Sequence, residues 1–191
     1  MNDLKETKTL KNLMSAFAGE SQARNRYTYY SSIAKKEGFI EISRIFEETA
    51  NHEKEHAKRL FKFLKDSGVD VEISGTFPTL MSSTENNLKA SAVGENHEWA
   101  EMYPTFAKEA QDEGFSKIAA VFKSIAVAEK FHEERYKRIL DRIEENKVFS
   151  ADNAVKWQCQ NCGYIHRGNN ALEECPACAH PKAYFARSLW D

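Results

Sequence analysis

No cysteine occurs before residue 159 of this 191-residue chain, and all four lie between Cys159 and Cys178. Disulfide stapling of the larger part is thereby excluded, and the cluster favours metal binding in a reducing compartment. No apolar run approaches the roughly 20 residues that a membrane span requires. The opening Met1-Asn2-Asp3-Leu4-Lys5-Glu6 has no hydrophobic stretch of the signal-peptide kind, so a cytoplasmic location is expected. Charge of one sign is also not in excess: the net charge is −2, and the 29% of charged residues interleave both signs. That balance argues against a nucleic-acid-binding face or a basic membrane anchor. A glycine-rich nucleotide-binding motif is missing as well.

What is present is long helical periodicity. Four helices are expected, over residues 9–36, 40–65, 85–112 and 116–145, with Gly38 and Gly114 at two tight corners. Residues 68–83, rich in β-branched side chains and carrying Pro78, are too long for a turn and read as the single long crossover of a four-helix bundle. Composition changes after Asn146. The expected division is a bundle over 1–146, a linker over 147–156 and a small metal-held module over 157–191.

The bundle contains an internal repeat. Lys36-Glu37-Gly38-Phe39 answers Asp112-Glu113-Gly114-Phe115, Glu53/His56 answers Glu129/His132, and Tyr27 answers Tyr103, all 76 residues apart. Gly19-Glu20, however, matches Gly94-Glu95 at an offset of 75. One residue has therefore entered helix three between Glu95 and Tyr103. Two readings remain open: a π-bulge helped by Pro104, which cannot donate a backbone hydrogen bond, or a slip at the frayed start of the helix.

The chemistry lies on the core stripes. Helix four reads Phe122, Ile125, Glu129, His132, Tyr136, Ile139, Ile143, at alternating spacings of three and four. Helix two repeats this with Ile42, Phe46, Thr49, Glu53, His56, Leu60 and Phe63. Helix one places Glu20 between Phe17 and Tyr27, and helix three supplies Glu95 and Glu98. A lone Glu-x-x-His is commonly a solvated helix face. Two of them on core stripes, completed by glutamates on the other two helices, describe a dinuclear metal site. Five carboxylates, at 20, 53, 95, 98 and 129, would otherwise repel one another in one interior. Mixed oxygen and imidazole donors suit iron or manganese better than zinc. His52, Glu55 and His97 fall off the stripes and are expected to be exposed.

Cys159-x-x-Cys162 and Cys175-x-x-Cys178 are two knuckles that place four thiolates around one zinc or one iron. Gly163-Tyr164 and Cys175-Pro176 lean toward iron, as does a redox-capable dinuclear site needing an electron supply.

Taken together, these motifs resemble the rubrerythrin family over essentially the whole chain. The resemblance implies a mainly α, ferritin-like four-helix bundle with one long crossover, followed by a small rubredoxin-like or zinc-ribbon-like β module. It implies two irons in the dinuclear site and one in the four-cysteine site, with zinc as a possible substitute. Glu53 and Glu129 resemble the bridging carboxylates, Glu20 a terminal ligand of one iron, and Glu95 and His132 ligands of the other. His56 and Glu98 resemble an exchanging pair, the glutamate binding when oxidised and the histidine when reduced. Charge counting supports that exchange: five carboxylates face six positive charges, and loss of one carboxylate matches reduction of the pair. Tyr27 and Tyr103 resemble tyrosines that bond the carboxylates, and Glu98 is near enough to shuttle a proton. Cys159, Cys162, Cys175 and Cys178 resemble the ligands of the single iron. Ala179 departs from the glycine that many free-standing rubredoxins carry there. The activity implied is reduction of hydrogen peroxide, fed by rubredoxin or an NAD(P)H-dependent reductase, in a head-to-tail homodimer that touches neither nucleic acid nor membrane. An iron-storage ferroxidase and a non-catalytic zinc protein are the competing expectations.

Overall fold

The computed structural model describes residues 3–188. Helix α1 (Lys8–Lys36) and α2 (Ile40–Lys65) form one antiparallel hairpin. The second hairpin pairs α5 (Ser116–Glu144) with a compound helix, in which α3 (Thr84–His97) runs through a π-helical turn (Glu98–Met102) into α4 (Tyr103–Asp112). The expected bounds hold to within a residue, the usual latitude at helix ends. Helix three is the exception, because it is not one unbroken α-helix. The Tyr103 N–H bonds to the Glu98 carbonyl five residues back, so the inserted residue sits in a π-turn rather than at a frayed start. Pro104 follows in the first turn of α4.

The internal repeat has a structural counterpart at the corners. Gly38 and Gly114 both adopt φ +85°, a left-handed conformation that closes the preceding helix. Phe39 N–H then reaches Ala34 O at 2.8 Å, and Phe115 N–H reaches Ala110 O at 2.7 Å. The adjacent corner glutamates each cap the opposite hairpin. Glu113 accepts from Lys8 N–H (3.0 Å), Thr9 N–H (2.9 Å) and the Thr9 hydroxyl (2.6 Å), while Glu37 accepts from Thr84 N–H at 3.0 Å. A carboxylate at a helix N-terminus satisfies free N–H groups and complements the helix dipole. The two hairpins are thereby locked in register.

Apolar side chains fill the bundle in two clusters. One holds Leu10, Leu13, Leu60, Tyr103, Phe122 and Ile125; the other holds Tyr27, Tyr30, Ile42, Phe46, Leu88 and Tyr136. Glu20, Glu53, Glu95, Glu129 and His132 are buried among these core residues.

Strand β1 (Ser150–Cys159) pairs antiparallel with both β2 (Ile165–Asn170) and β3 (Phe185–Arg187), in the order β2-β1-β3. Residues 150–156, expected as linker, are therefore mostly strand. Their polar run Ala151-Asp152-Asn153-Ala154 shows no alternation, because a bulge separates the Ser150 and Val155 pairings. Trp157 is fully buried under the sheet and donates to Gly168 O at 3.0 Å. The short connection seats the module on the Gly38 end of its own bundle. Phe149 stacks on Phe39, with centroids 6.2 Å apart, and Arg44 donates to both the side chain and the carbonyl of Gln160, each at 2.7 Å. The last three residues of the expected module lie outside the described part, as do the first two of the expected bundle. Among the described residues no helix is long and apolar enough to cross a membrane.

Candidate metal centres

Glu-x-x-His on α2 and on α5 each point a carboxylate and an imidazole inward, because residues three apart share a helical face. The structure brings the donors into two overlapping groups: Glu20, Glu53, His56 and Glu129, and Glu53, Glu95, Glu129 and His132. Within each group the donor atoms lie within 4.8 Å of one another. Glu53 and Glu129 belong to both. His56 Nδ1 is 2.9 Å from Glu129 Oε1, 3.1 Å from Glu53 Oε2 and 3.5 Å from Glu20 Oε2. His132 Nδ1 is 2.7 Å from Glu129 Oε2, 3.3 Å from Glu53 Oε1 and 3.6 Å from Glu95 Oε2.

Apart from His56 Nδ1 to Glu53 Oε2, proximity does not make these contacts good hydrogen bonds. Glu53 Oε1, Glu95 Oε2, both Glu129 oxygens and His132 Nδ1 are fully buried with no aligned partner. Each such atom costs about 1–3 kcal/mol when left unsatisfied. Five in one cavity, all of ligand type, fit a pair of cations better than any protein-only arrangement. The opposite oxygens of the outer carboxylates are held: Tyr27 donates to Glu95 Oε1 and Tyr103 to Glu20 Oε1. The two tyrosines, one repeat apart, thus orient two carboxylates from opposite sides.

The electrostatics describe a site that protons neutralise when cations do not. Burial, then the Glu129 and Glu53 charges, push the Glu20 carboxyl well above the usual range. Burial and the Glu53 charge raise Glu95 to about 8. Burial alone would also raise Glu53, but the His132 and His56 imidazoles beside it outweigh this and hold Glu53 at about 2. Burial disfavours the charged imidazoles, yet Glu129 and its neighbours overcome this, lifting His56 and carrying His132 to about 12. Tyr27 and Tyr103 are raised by burial and by Glu95 and Glu20 respectively, so they remain donors.

Glu98 is the one expected ligand that neither donor group contains. It occupies the first position of the π-turn, half-buried, while His56 stands among Glu20, Glu53 and Glu129. Burial and the Glu95 charge raise its carboxyl well above the usual range. The structure therefore has the histidine in and this glutamate out.

In the module, Cys159 and Cys178 sulfurs are 3.7 Å apart, as are those of Cys162 and Cys175, and none is oxidised. Four thiolates at about 2.3 Å from one metal would be separated by roughly that distance. Cys178 drops to about 6: burial raises it, but the His180 backbone N–H and nearby thiols prevail. Gly163 and Ala179 close the two knuckles with φ of +81° and +55°. Ala179 thus holds a left-handed conformation that is costly for a residue with a Cβ and free for glycine.

Three features escaped the sequence reading. His52 is not simply exposed: its Nδ1 lies 3.0 Å from His132 Nε2. Glu133, next to His132, is buried and accepts from Trp99 Nε1 (2.6 Å) and Asn96 Nδ2 (3.1 Å), tying both sides of the π-turn's entry to α5. Arg44 joins the module to α2. Glu55 and His97 are exposed as expected.

The comparisons agree with this geometry. The family model described as Rubrerythrin matches residues 11–140, and the one described as the rubredoxin-like domain of rubrerythrin matches residues 157–186. Rubrerythrin-1 of Clostridium acetobutylicum is 58% identical over 189 residues, covering 97% of this chain and 96% of that protein. Rubrerythrin of Nitratidesulfovibrio vulgaris is also 58% identical, over 186 residues, with the same coverage. The solved structure of fully reduced, all-ferrous nigerythrin superposes with a TM-score of 0.64 at 34% identity, covering 98% of this chain and 92% of that one. Fold and donor sets together define a ferritin-like di-metal bundle joined to a four-cysteine module. The chain belongs to the rubrerythrin family. The domains of that family bind a di-iron centre and a rubredoxin-type four-cysteine centre, and both donor sets stand here.

Proposed function

We propose that this protein is a peroxidase that reduces hydrogen peroxide to water, taking up two electrons and two protons per peroxide. The observation that carries this reading is the presence, in one chain, of a dinuclear donor set and a tetrathiolate set. The first suits a two-electron reaction and the second a one-electron relay. When bound, iron at the dinuclear site supplies the electrons that break the O–O bond.

The residues then take distinct tasks. Glu53 and Glu129, shared by both donor groups, would hold both metals. Glu20 completes one position, and Glu95 with His132 the other. His56 and Glu98 would serve in turn as the remaining donor beside Glu20, a reading that the placement of His56 among Glu20, Glu53 and Glu129 supports. Burial and the Glu95 charge raise the Glu98 carboxyl, so it would serve as the proton donor to a leaving oxygen. Tyr27 and Tyr103 hold Glu95 and Glu20 in place while charge at the centre changes. Cys159, Cys162, Cys175 and Cys178 hold the relay iron. Rubredoxin or an NAD(P)H-dependent reductase supplies electrons from outside, and the working unit is a head-to-tail homodimer in the cytoplasm.

The test is anaerobic purification, metal analysis and visible spectroscopy, followed by peroxide consumption with a reductant. Expected are three irons per chain (two plus one), a thiolate-to-ferric colour and rapid peroxide loss. Faster reaction with dioxygen, with ferric mineral as product, would move the reading to iron storage. A colourless, inert protein with firmly bound zinc would move it to a structural role.

A further inference from the structure

His52 stands on α2 one residue before Glu53, and its side chain is 42% exposed. Its Nδ1 nevertheless lies 3.0 Å from Nε2 of His132, whose own side chain is 2% exposed. The two rings are nearly parallel, at 10°, with centroids 5.2 Å apart. On the far side, His52 Nε2 is 3.9 Å from Glu48 Oε1. Glu48 is fixed in turn by Arg135, whose Nη1 donates to Oε2 at 2.8 Å. A single polar chain therefore runs inward from the surface through Glu48, His52 and His132.

Tautomer logic gives this chain a direction. His132 turns Nδ1 toward Glu53, Glu95 and Glu129, so a cation held with them would take the Nδ1 lone pair. A neutral imidazole that ligates through Nδ1 must carry its proton on Nε2. That buried N–H requires an acceptor, and His52 Nδ1 is placed to be one. His52 must then keep its own proton on Nε2, which faces the Glu48 carboxylate.

We propose that His52 is the positioning residue of His132: it accepts a hydrogen bond from the Nε2–H and so presents the Nδ1 lone pair to the metal held with Glu53, Glu95 and Glu129. The inference rests on the ligand role of His132 proposed above. An outer partner of this kind fixes ring orientation and raises ligand basicity, and its loss typically weakens metal binding about 10–100-fold. The effect should fall on one of the two dinuclear positions, because His56 occupies the other group.

The experiment uses the full-length chain and two substitutions, His52→Leu and His52→Gln. Leucine fills the space without accepting a hydrogen bond, whereas the glutamine amide oxygen can accept one from His132 Nε2–H. Each protein is loaded anaerobically with ferrous iron, titrated against a chelator and examined by Mössbauer spectroscopy. The expected result is an affinity loss of about 10- to 100-fold at one dinuclear position in His52→Leu, with a changed doublet for that iron only. His52→Gln should return both to within a few-fold of the parent. Leucine with parental affinity and spectrum would overturn the proposal, as would glutamine no better than leucine. A parent chain that binds no iron pair would instead bring down the di-iron assignment, and this inference with it.

Discussion

Stripping the metals should make the bundle less stable as pH rises, the reverse of ordinary carboxylate behaviour. In the metal-free protein the folded state holds protons that the unfolded chain releases. Glu95 titrates at about 8 when folded against 4.5 when exposed, and His132 at about 12 against 6.5. A group whose pKa is raised by folding contributes stability fully below its unfolded pKa, and that contribution is lost as pH climbs to its folded pKa. The windows are therefore 4.5 to about 8 for Glu95 and 6.5 to about 12 for His132. Glu53 works oppositely, but its window lies between about 2 and 4.5, so it leaves higher pH untouched. Above pH 6.5 His132 joins Glu95, and each retained proton gives a slope of about 1.4 kcal/mol per pH unit. For a chain of this size that corresponds to roughly 3–6 °C in Tm per pH unit. Bound cations displace those protons and remove the slope. The assay is thermal unfolding by far-ultraviolet circular dichroism of chelator-treated and iron-loaded protein between about pH 5 and 8, the range in which folded Glu95 keeps a proton that the unfolded chain has released. A metal-free Tm that stays level or climbs across that range would refute the buried-cluster electrostatics.

Further outcomes follow from single side chains. His56→Ala should slow peroxide turnover while oxidised iron stays bound; unchanged turnover would count against the exchange with Glu98. Glu113→Gln should cost about 1 kcal/mol at neutral pH through the weakened cap on α1. Burial raises the Glu113 carboxyl, but its bonds from Thr9 and Lys8 prevail and lower it, so the cap acts above the unfolded pKa and is lost in acid. Denaturant curves of Glu113→Gln and parent should therefore converge as pH falls below the carboxylate range. Ala179→Gly should relieve the φ of +55° and stabilise the module by about 0.5–1 kcal/mol, seen as slower loss of the thiolate-bound metal to a chelator.

The legible part of the site was set by periodicity. Core stripes on α2 and α5 force Glu53, His56, Glu129 and His132 inward, since burial of Ile42, Phe46, Phe122 and Ile125 leaves them no other direction. The offset of the internal repeat, slipping from 76 to 75, placed an inserted residue between Glu95 and Tyr103, and the fold resolved it as a π-turn rather than a frayed start. The same repeat paired Glu37 with Glu113, although only the folded corners show that each caps the other hairpin.

Local sequence, then, was enough to decide which side chains face the interior, because helical period and apolar spacing are properties of a single segment. It also decided that four cysteines would converge, because each knuckle is local. Tertiary structure decided the rest. Whether His52 meets His132, which of His56 and Glu98 stands at the carboxylates, and where the module rests against Arg44 all depend on how separate helices cross. Residues adjacent in sequence point about 100° apart on a helix, so a flanking position such as His52 acquires its partner only when a second helix packs beside it.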